Sequence, residues 1–366
     1  MKILAIETSC DETAASVVSF SKGKIDIQSN IVSSQIKIHA KWGGVVPSLA
    51  AREHLKNIMP VISESIKKAK TTIKKIDLIA VTHGPGLIPA LLIGTSAAKS
   101  LSYFSSKPLI GINHVEAHLY ANFFCKNKSS LDNFKFPILA LVVSGGHTQL
   151  VLIKKHLKYE IIGETQDDAV GEAFDKVAKI LELGYPGGPI ISKLADETNY
   201  EEIELIRNNE IKKLFENIKF PRPMIGSDNL NFSYSGLKTS VMYFFKKITA
   251  PSPSKKDLEI SKRLIAKYFQ EAAIEVLVKK SQKAIKKYDA KTFFLAGGVA
   301  ANSYLRNQIS ENITIPFNYP LLEFCGDNAA MIAITAHYQY QALSEKKKGA
   351  LLKNWETLEA DPNLRL

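Results

Sequence analysis

Residues 3–18, ILAIETSCDETAASVV, align without a gap on residues 138–153, ILALVVSGGHTQLVLI, with Ile, Leu, Ala, Ser and Thr identical at matching positions. A chain carrying such a repeat is built twice from one plan. Each copy reads as an apolar strand, a short polar turn and a second strand, hence a hairpin opening a domain. A further correspondence follows each copy: IDLIAVTHGPGLIPALLIGTSAAKSL and KTFFLAGGVAANSYLR both read as strand, glycine turn and helix. This is α/β construction carried out twice, and 366 residues are long for a single core. The expected division is residues 1–130, then residues 131–327 with a helical insertion at about 165–290. A helix at about 328–345 is expected to pack back on the first domain, and residues 346–366 read as a loose basic tail.

Two similar halves whose glycine turns face a shared cleft is the arrangement of the actin, Hsp70 and sugar-kinase superfamily, with a nucleotide between the domains. By that analogy the fold class is α/β, actin-like (ASKHA), with duplicated RNase H-like domains. The charge balance, 48 Lys+Arg against 36 Asp+Glu for a net +12, favours a polyanionic partner such as nucleic acid, though a solvated basic surface accounts for it equally. Cys10, Cys125 and Cys325 are odd in number and widely scattered, which fits a reducing cytoplasm. No apolar run of about 18 residues exists to span a membrane, and MKILAIE reaches Glu7 too early for a signal peptide.

Three glycine turns lie in the second half. VVSGGHTQL joins two strands through Ser144, Gly145 and Gly146, where backbone N–H groups can converge on an anion; an ordinary hairpin turn is the plainer reading. LAGGVAAN places Gly297 and Gly298 at a strand end, where a helix N-terminus can face phosphate. YPGGP adds Gly187 and Gly188 after a helix whose Asp175 can bond ribose hydroxyls or simply be solvated. In GINHVEAHLYAN, His114 and His118 share one helix face while Glu116 points nearly opposite. That is HxExH and not the HExxH of zinc proteases, so Glu116 is badly placed as a protease base. A packed pair of histidines is the common alternative. Asp327, in CGDNAAMIAI, is either an N-cap or a third ligand; two His and one Asp suit iron or zinc better than magnesium.

Taken in order, ETSCDET, HAKWGGVVP, HGPG, HVEAH, VSGGHTQ, DDAVGEAFDKVAK, GYPGGP, FSYSGLKT, AGGVAAN and CGDNAAMIA closely resemble the TsaD family, the tRNA threonylcarbamoyladenosine biosynthesis transferases. The resemblance spans nearly the whole chain. It implies a metal-dependent acyltransferase that moves the threonylcarbamoyl group from threonylcarbamoyl-adenylate to N6 of the adenosine beside the anticodon, in tRNAs reading codons that begin with A, with release of AMP. The family's metal ligands fall on His114, His118 and Asp327, holding one divalent metal, Fe(2+) with Zn(2+) as the alternative. Its substrate contacts fall on Val142, Val143, Ser144, Gly145, Gly146, Asp175, Gly188 and Asn302, and Asp11 matches an acidic residue needed for activity. Implied partners are tRNA, a TsaB-like paralogue and a TsaE-like ATPase, with a TsaC-like enzyme making the intermediate, all in the cytoplasm with no membrane. Ser48, Ser192 and Gly326 depart from the residues usual at those positions.

Rival readings are a sugar kinase or Hsp70-like ATPase, which needs an Asp-Gly-Thr-type phosphate loop where this chain has SCDET; a metalloprotease; and a silent scaffold, which would lack the metal set. The lysine-rich stretches IKKAKTTIKK and VKKSQKAIKK are candidate phosphate contacts or plain solvated helix faces.

Overall fold

A computed structural model describes residues 1–123 and 134–366; Cys125 lies outside the described residues. The first part of the chain runs β1 (Lys2–Glu7), β2 (Glu12–Ser21), β3 (Lys24–Ser34), α1 (Ile36–His39), α2 (Pro47–Lys68), β4 (Leu78–Gly84), α3 (Ile88–Ser105), β5 (Leu109–Asn113) and α4 (His114–Tyr120). The second runs β6 (Ile138–Val143), β7 (Thr148–Lys155), β8 (Lys158–Glu164), α5 (Val170–Ile180), α6 (Gly187–Glu197), α7 (Asn209–Glu216), α8 (Ser235–Thr249), α9 (Lys255–Tyr288), β9 (Thr292–Ala296), α10 (Ser303–Asn312) and β10 (Phe317–Asn318). The chain closes with α11 (Ala329–Ala342), α12 (Glu345–Ala350) and α13 (Asn354–Thr357). Two compact units result: residues 1–134, 156–159 and 318–366 form one, and residues 135–155 and 160–317 the other.

The repeat is a repeat of hydrogen-bond register. In the first unit Ile3 pairs with Val18, Leu4 with Val17 and Ala5 with Ser16; in the second Ile138 pairs with Ile153, Leu139 with Leu152 and Ala140 with Val151. The offset that aligns the sequences therefore aligns the ladders pair by pair. Each hairpin's first strand is also parallel to a later strand, Ile3 opposite Leu78 and Ile138 opposite Thr292. The sheet orders correspond as well, β3-β2-β1-β4-β5 and β8-β7-β6-β9-β10. Being central, β1 and β6 are buried on both faces, which is why ILAI and ILALVV read as unbroken apolar runs.

In the first unit, α2 buries Ala50, His54, Ile58, Val61, Ile62 and Ser65, a stripe at helical spacing. Ile58, Val61 and Ile62 meet Leu4, Ile6, Ala15 and Val17 of the sheet in one core, with Ala98 of α3. α3 sits close against the end of β1 because Gly94 has no side chain: a Cβ there would lie 2.2 Å from Thr8 Oγ1. Successive strand residues face opposite ways, so Leu4 and Ile6 point to α2 while Glu7 points to the side of α4. α11, buried along Ala329–Ala336 and apolar all round, packs on β1, β2 and α4.

Residues 346–366 are not loose, which corrects the sequence expectation. The lysines masked two apolar anchors, Trp355 and Leu358, which pack against the first unit's core. Tyr103 meets Trp355 edge-on at 4.7 Å. Beyond them the Asp361 N–H donates to the His83 carbonyl at 2.7 Å, and Asn113 Nδ2 donates to the Arg365 carbonyl at 3.2 Å. Glycine makes this approach possible: a Cβ at Gly84 would lie 1.9 Å from the Asp361 carbonyl oxygen.

In the second unit α5, α6, α8 and α9 form a helical cluster around Phe174 and Phe269, whose rings meet edge-on at 4.9 Å. Asp167 fixes the start of α8, accepting from the Ser233 and Ser235 hydroxyls and from the Tyr234 N–H, which accounts for the spacing of polar residues in FSYSGLKT. Among the described residues, no helix is long and apolar enough to cross a membrane.

The junction after β9 separates two adjacent glycines. Gly297 has φ of 90° and a Cβ there would lie 2.3 Å from the Val143 carbonyl oxygen, whereas a Cβ at Gly298 meets nothing within 4 Å. Gly297→Ala is therefore expected to lower the unfolding free energy by about 2–4 kcal/mol. Gly298→Ala should leave it within about 1 kcal/mol. Urea unfolding of the two variants checks the contrast.

Candidate functional site

The first unit concentrates acids and histidines around the end of β1. α4 starts directly after β5, and Asn113 caps it by accepting from the Val115 and Glu116 N–H groups at 2.9 and 3.1 Å. This sets His114 in the first turn and His118 one turn later, their rings edge-on at 4.7 Å. His114 Nε2 is 3.5 Å and His118 Nε2 is 3.2 Å from Asp327 Oδ1. The N-cap of α11 is Asn328, which accepts from the Met331 N–H at 3.1 Å; Asp327 is not the cap, and its carboxylate faces the histidines.

Glu7, which the sequence reading passed over, holds the set in place. It is fully buried and its Oε2 is 3.1 Å from His114 Nδ1, while Thr82 Oγ1 and the Ser9 N–H also donate to its carboxylate. An Nδ1–H donated to Glu7 leaves Nε2 with its lone pair turned toward Asp327, the carboxylate–histidine arrangement of metal sites. Burial disfavours a charge on His114, but Asp327 and Glu7 outweigh it and raise its pKa to about 9. For Glu7, burial pushes upward and the His114 charge pulls its carboxyl below the ordinary range.

The residues fit a metal ion. The ligand atoms of His114, His118 and Asp327 lie within 4.8 Å of one another. His118 is buried, yet neither ring nitrogen makes a hydrogen bond; the 3.2 Å approach to Asp327 is outside hydrogen-bonding geometry. A buried imidazole without a hydrogen bond is costly, and coordination through Nε2 would give one of its two nitrogens a partner. Two nitrogens and one oxygen leave positions open and suit iron or zinc. Glu116 is turned away from this set, its carboxylate accepting from Tyr159 at 2.8 Å and Gln339 at 2.7 Å, so it is no protease base.

Asp11 lies in the turn that follows Glu7, and Glu12 opens β2. Asp11 is 8% exposed, and its carbonyl accepts from the Gln35 N–H at 3.0 Å. Burial, then the charges of Asp327 and Asp11, push Glu12 up to about 10, while Ser34 Oγ donates to its carboxylate at 3.0 Å. Glu12 is a second acid the sequence reading missed, although three acids crowded in ETSCDET signalled it. Burial pushes the Cys10 thiol up, which keeps it an inert thiol.

The second unit has its own cavity of about 600 Å³, lined among others by Gly145, Asp175, Gly188, Gly298 and Asn302. That volume suits a nucleotide-sized ligand. Added Cβ atoms at Gly145, Gly188 and Gly298 would meet nothing within 4 Å, and none of the three has positive φ. Neither packing nor backbone conformation demands glycine there, and the missing side chains leave the cavity open on that side. Asp175 Oδ1 accepts from the Gly187 N–H at 2.7 Å, tying α5 to the start of α6. Asn302 caps α10 by accepting from Leu305 N–H and donates to Gln270, both at 2.8 Å, leaving capacity for one further donor and acceptor. Ser192, one of the departures, also lines the cavity.

Val142, Val143, Ser144 and Gly146 do not line it. The two valines are wholly buried strand residues, able to offer only main-chain groups. Ser144 Oγ accepts from the Gly146 and His147 N–H groups at 3.3 and 3.1 Å, so those two amides serve the turn and do not converge on an anion.

A chelated protein with His114 protonated must give up that proton to bind metal. Loading at pH 7 is expected to release about one proton per ion, and affinity should rise about tenfold per pH unit until pH approaches 9. In the metal-free protein the sign is opposite: the raised His114 pKa contributes stability that is full below its unfolded value of 6.5 and lost as pH rises through about 9. Calorimetry in buffers of different ionisation heat reads the proton count. Glu7→Gln should weaken metal binding by about 10- to 100-fold, and His118→Ala should abolish stoichiometric metal without unfolding the chain; metal analysis after gel filtration reports both.

The sequence profile of the family described as TsaD, tRNA N6-adenosine threonylcarbamoyltransferase, matches residues 26–334. The tRNA N6-adenosine threonylcarbamoyltransferase of Thermosipho africanus (strain TCF52B) is 48% identical, covering 100% of both chains. That of Bacillus subtilis (strain 168) is 47% identical over 91% of this chain and 89% of its own. Among solved structures, the (R)-2-hydroxyglutaryl-CoA dehydratase component A of Acidaminococcus fermentans aligns with a TM-score of 0.48 at 13% identity, covering 94% of this chain and 100% of that one. On the strength of the full-length relatives and the family profile, this chain belongs to the TsaD family of tRNA N6-adenosine threonylcarbamoyltransferases, and is a transferase.

Proposed function

We propose that the chain transfers the threonylcarbamoyl group from L-threonylcarbamoyl-adenylate to N6 of the adenosine adjacent to the anticodon in tRNAs reading codons that begin with A, releasing AMP. The observation that carries this reading is the second unit's cavity, where Gly145, Gly188 and Gly298 open onto free space beside Asp175. The adenylate's sugar would bond Asp175 and its phosphate would lie against the glycines, whose missing side chains allow main-chain contact. The adenine N6 amine attacks the carbamoyl carbon, the new C–N bond forms, the C–O bond to phosphate breaks, and AMP leaves with the electron pair while N6 sheds a proton. Asp11 is the acid we assign to this chemistry. His114, His118 and Asp327 would hold Fe(2+), or alternatively Zn(2+), which supplies Lewis acidity and a template when bound. The mixed anhydride is already activated, so the step needs no ATP hydrolysis.

The acceptor lies in a single-stranded loop, where a base can be splayed out at modest cost. The net charge of +12 suits tRNA. We place the protein in the cytoplasm, working with a TsaB-like paralogue and a TsaE-like ATPase downstream of a TsaC-like enzyme.

Two outcomes test this reading. A tRNA with adenosine beside the anticodon and one with guanosine there should bind with similar salt slopes, since phosphates position and bases select, yet only the first should yield product. Equal modification of both would mean the acceptor is wrong. Gly145→Val should fold normally and lose adenine-nucleotide affinity by at least about tenfold, because its side chain enters the cavity; unchanged affinity by calorimetry rejects the site.

A further inference from the structure

HAKWGGVVP supplies nothing to the metal set or to the cavity, yet it is built with care. Trp42 at its centre is 67% exposed and presents an indole face to solvent. The loop that presents it is pinned from inside. His39 is fully buried; its Nδ1 accepts from the Val46 N–H at 3.3 Å, so its Nε2–H donates to Gln35 Oε1 at 3.0 Å. Gln35 in turn donates Nε2–H to the Ala50 carbonyl at 3.3 Å. Gly43, with φ of 66°, turns the chain just after the tryptophan, its N–H donating to the Ala40 carbonyl. Lys37 and Lys41 precede Trp42 on the same short helical stretch and are exposed.

The pinned loop is fastened to the turn that follows Glu7. The Gln35 N–H donates to the Asp11 carbonyl at 3.0 Å and Ser34 Oγ to Glu12 Oε1 at 3.0 Å. His54, on α2, accepts at Nδ1 from Thr13 Oγ1 at 2.8 Å and donates Nε2–H to the Cys10 carbonyl at 2.9 Å. Ser9, in the same turn, lies 3.2 Å from His114 Nδ1. A loop held from inside thus presents an exposed indole, preceded in sequence by two exposed lysines, and is anchored on the turn beside His114.

We infer that Trp42 is a stacking platform for an unpaired nucleobase of the RNA substrate, with Lys37 and Lys41 meeting the adjoining phosphates; this rests on the proposed tRNA acceptor. An indole face accepts any base, so Trp42 holds the single-stranded loop and leaves selection of the acceptor to other groups. Base–aromatic stacking of this kind is worth about 1–3 kcal/mol. The loop is held by His39 before RNA arrives, so little ordering opposes binding.

The chain has two tryptophans, so a Trp355→Phe protein reports on Trp42 alone. Titrated with an anticodon stem-loop carrying unpaired adenosine, its fluorescence should be quenched; a blunt RNA duplex of matched length should bind through phosphates with little quenching. In the otherwise native chain, Trp42→Ala should weaken stem-loop binding by about 5- to 100-fold and Trp42→Phe by less than about threefold, with metal content and AMP affinity unchanged. Stem-loop affinity untouched in Trp42→Ala, or equal quenching by duplex, overturns the stacking role while leaving the acceptor intact. Quenching by a TsaB-like protein in the absence of RNA overturns it in favour of a protein contact. Failure of the parent to bind either RNA, with the partner proteins present, brings down the tRNA reading and the platform with it.

Discussion

One buried carboxylate organises the first unit. Glu7 ends the central strand with no solvent to share its charge, and an isolated carboxylate in that position would be prohibitive. It is tolerated because it accepts from Thr82 on β4, from the Ser9 N–H of its own turn and from His114 on the helix after β5. Those three contacts tie together the sheet, the polar turn and the helix that carries His114 and His118. The histidine orientation then follows: with Nδ1 committed to Glu7, Nε2 is the atom presented to Asp327. Replacing Glu7 with an apolar residue would fill the space but leave that ring free to choose its tautomer.

Duplication explains why such different chemistry sits in matching places. The two hairpins share their ladder register, so the turns after β1 and β6 occupy equivalent positions in their own units. In the first unit that turn is acidic, SCDE, and adjoins the histidines. In the second it is SGGH, where Ser144 ties up two amides and Gly145 opens on the cavity. The scaffold fixes the positions, and the residues within each turn set what surrounds it.

Much of this was legible in the residues. Strand pairs are announced by apolar runs broken by short polar turns, and the i, i+4 spacing of His114 and His118 places both on one helix face. Asp327 was legible as a candidate, though only the structure separates it from the capping role that Asn328 performs. What stayed hidden was long-range. Glu7 looks like an ordinary strand residue until its partner, 107 positions away, is seen. The docking of residues 346–366 depends on Trp355 and Leu358 finding a core assembled from β1, α2 and α3, which a count of lysines cannot reveal. The burial of Val142 and Val143 was legible in the unbroken run ILALVV, but that Ser144 Oγ occupies the Gly146 and His147 amides was not.

The proposed reaction joins an adenylate-activated acyl group to a tRNA base, with a metal that His114, His118 and Asp327 would hold. The most direct measurement is AMP release from threonylcarbamoyl-adenylate by the full-length protein and its partners, with and without tRNA, before and after chelation. The account predicts AMP formed in step with modified adenosine, loss of both on removing the metal, and recovery on adding Fe(2+) or Zn(2+). AMP release that ignores the tRNA, or full modification by metal-free protein, would contradict it.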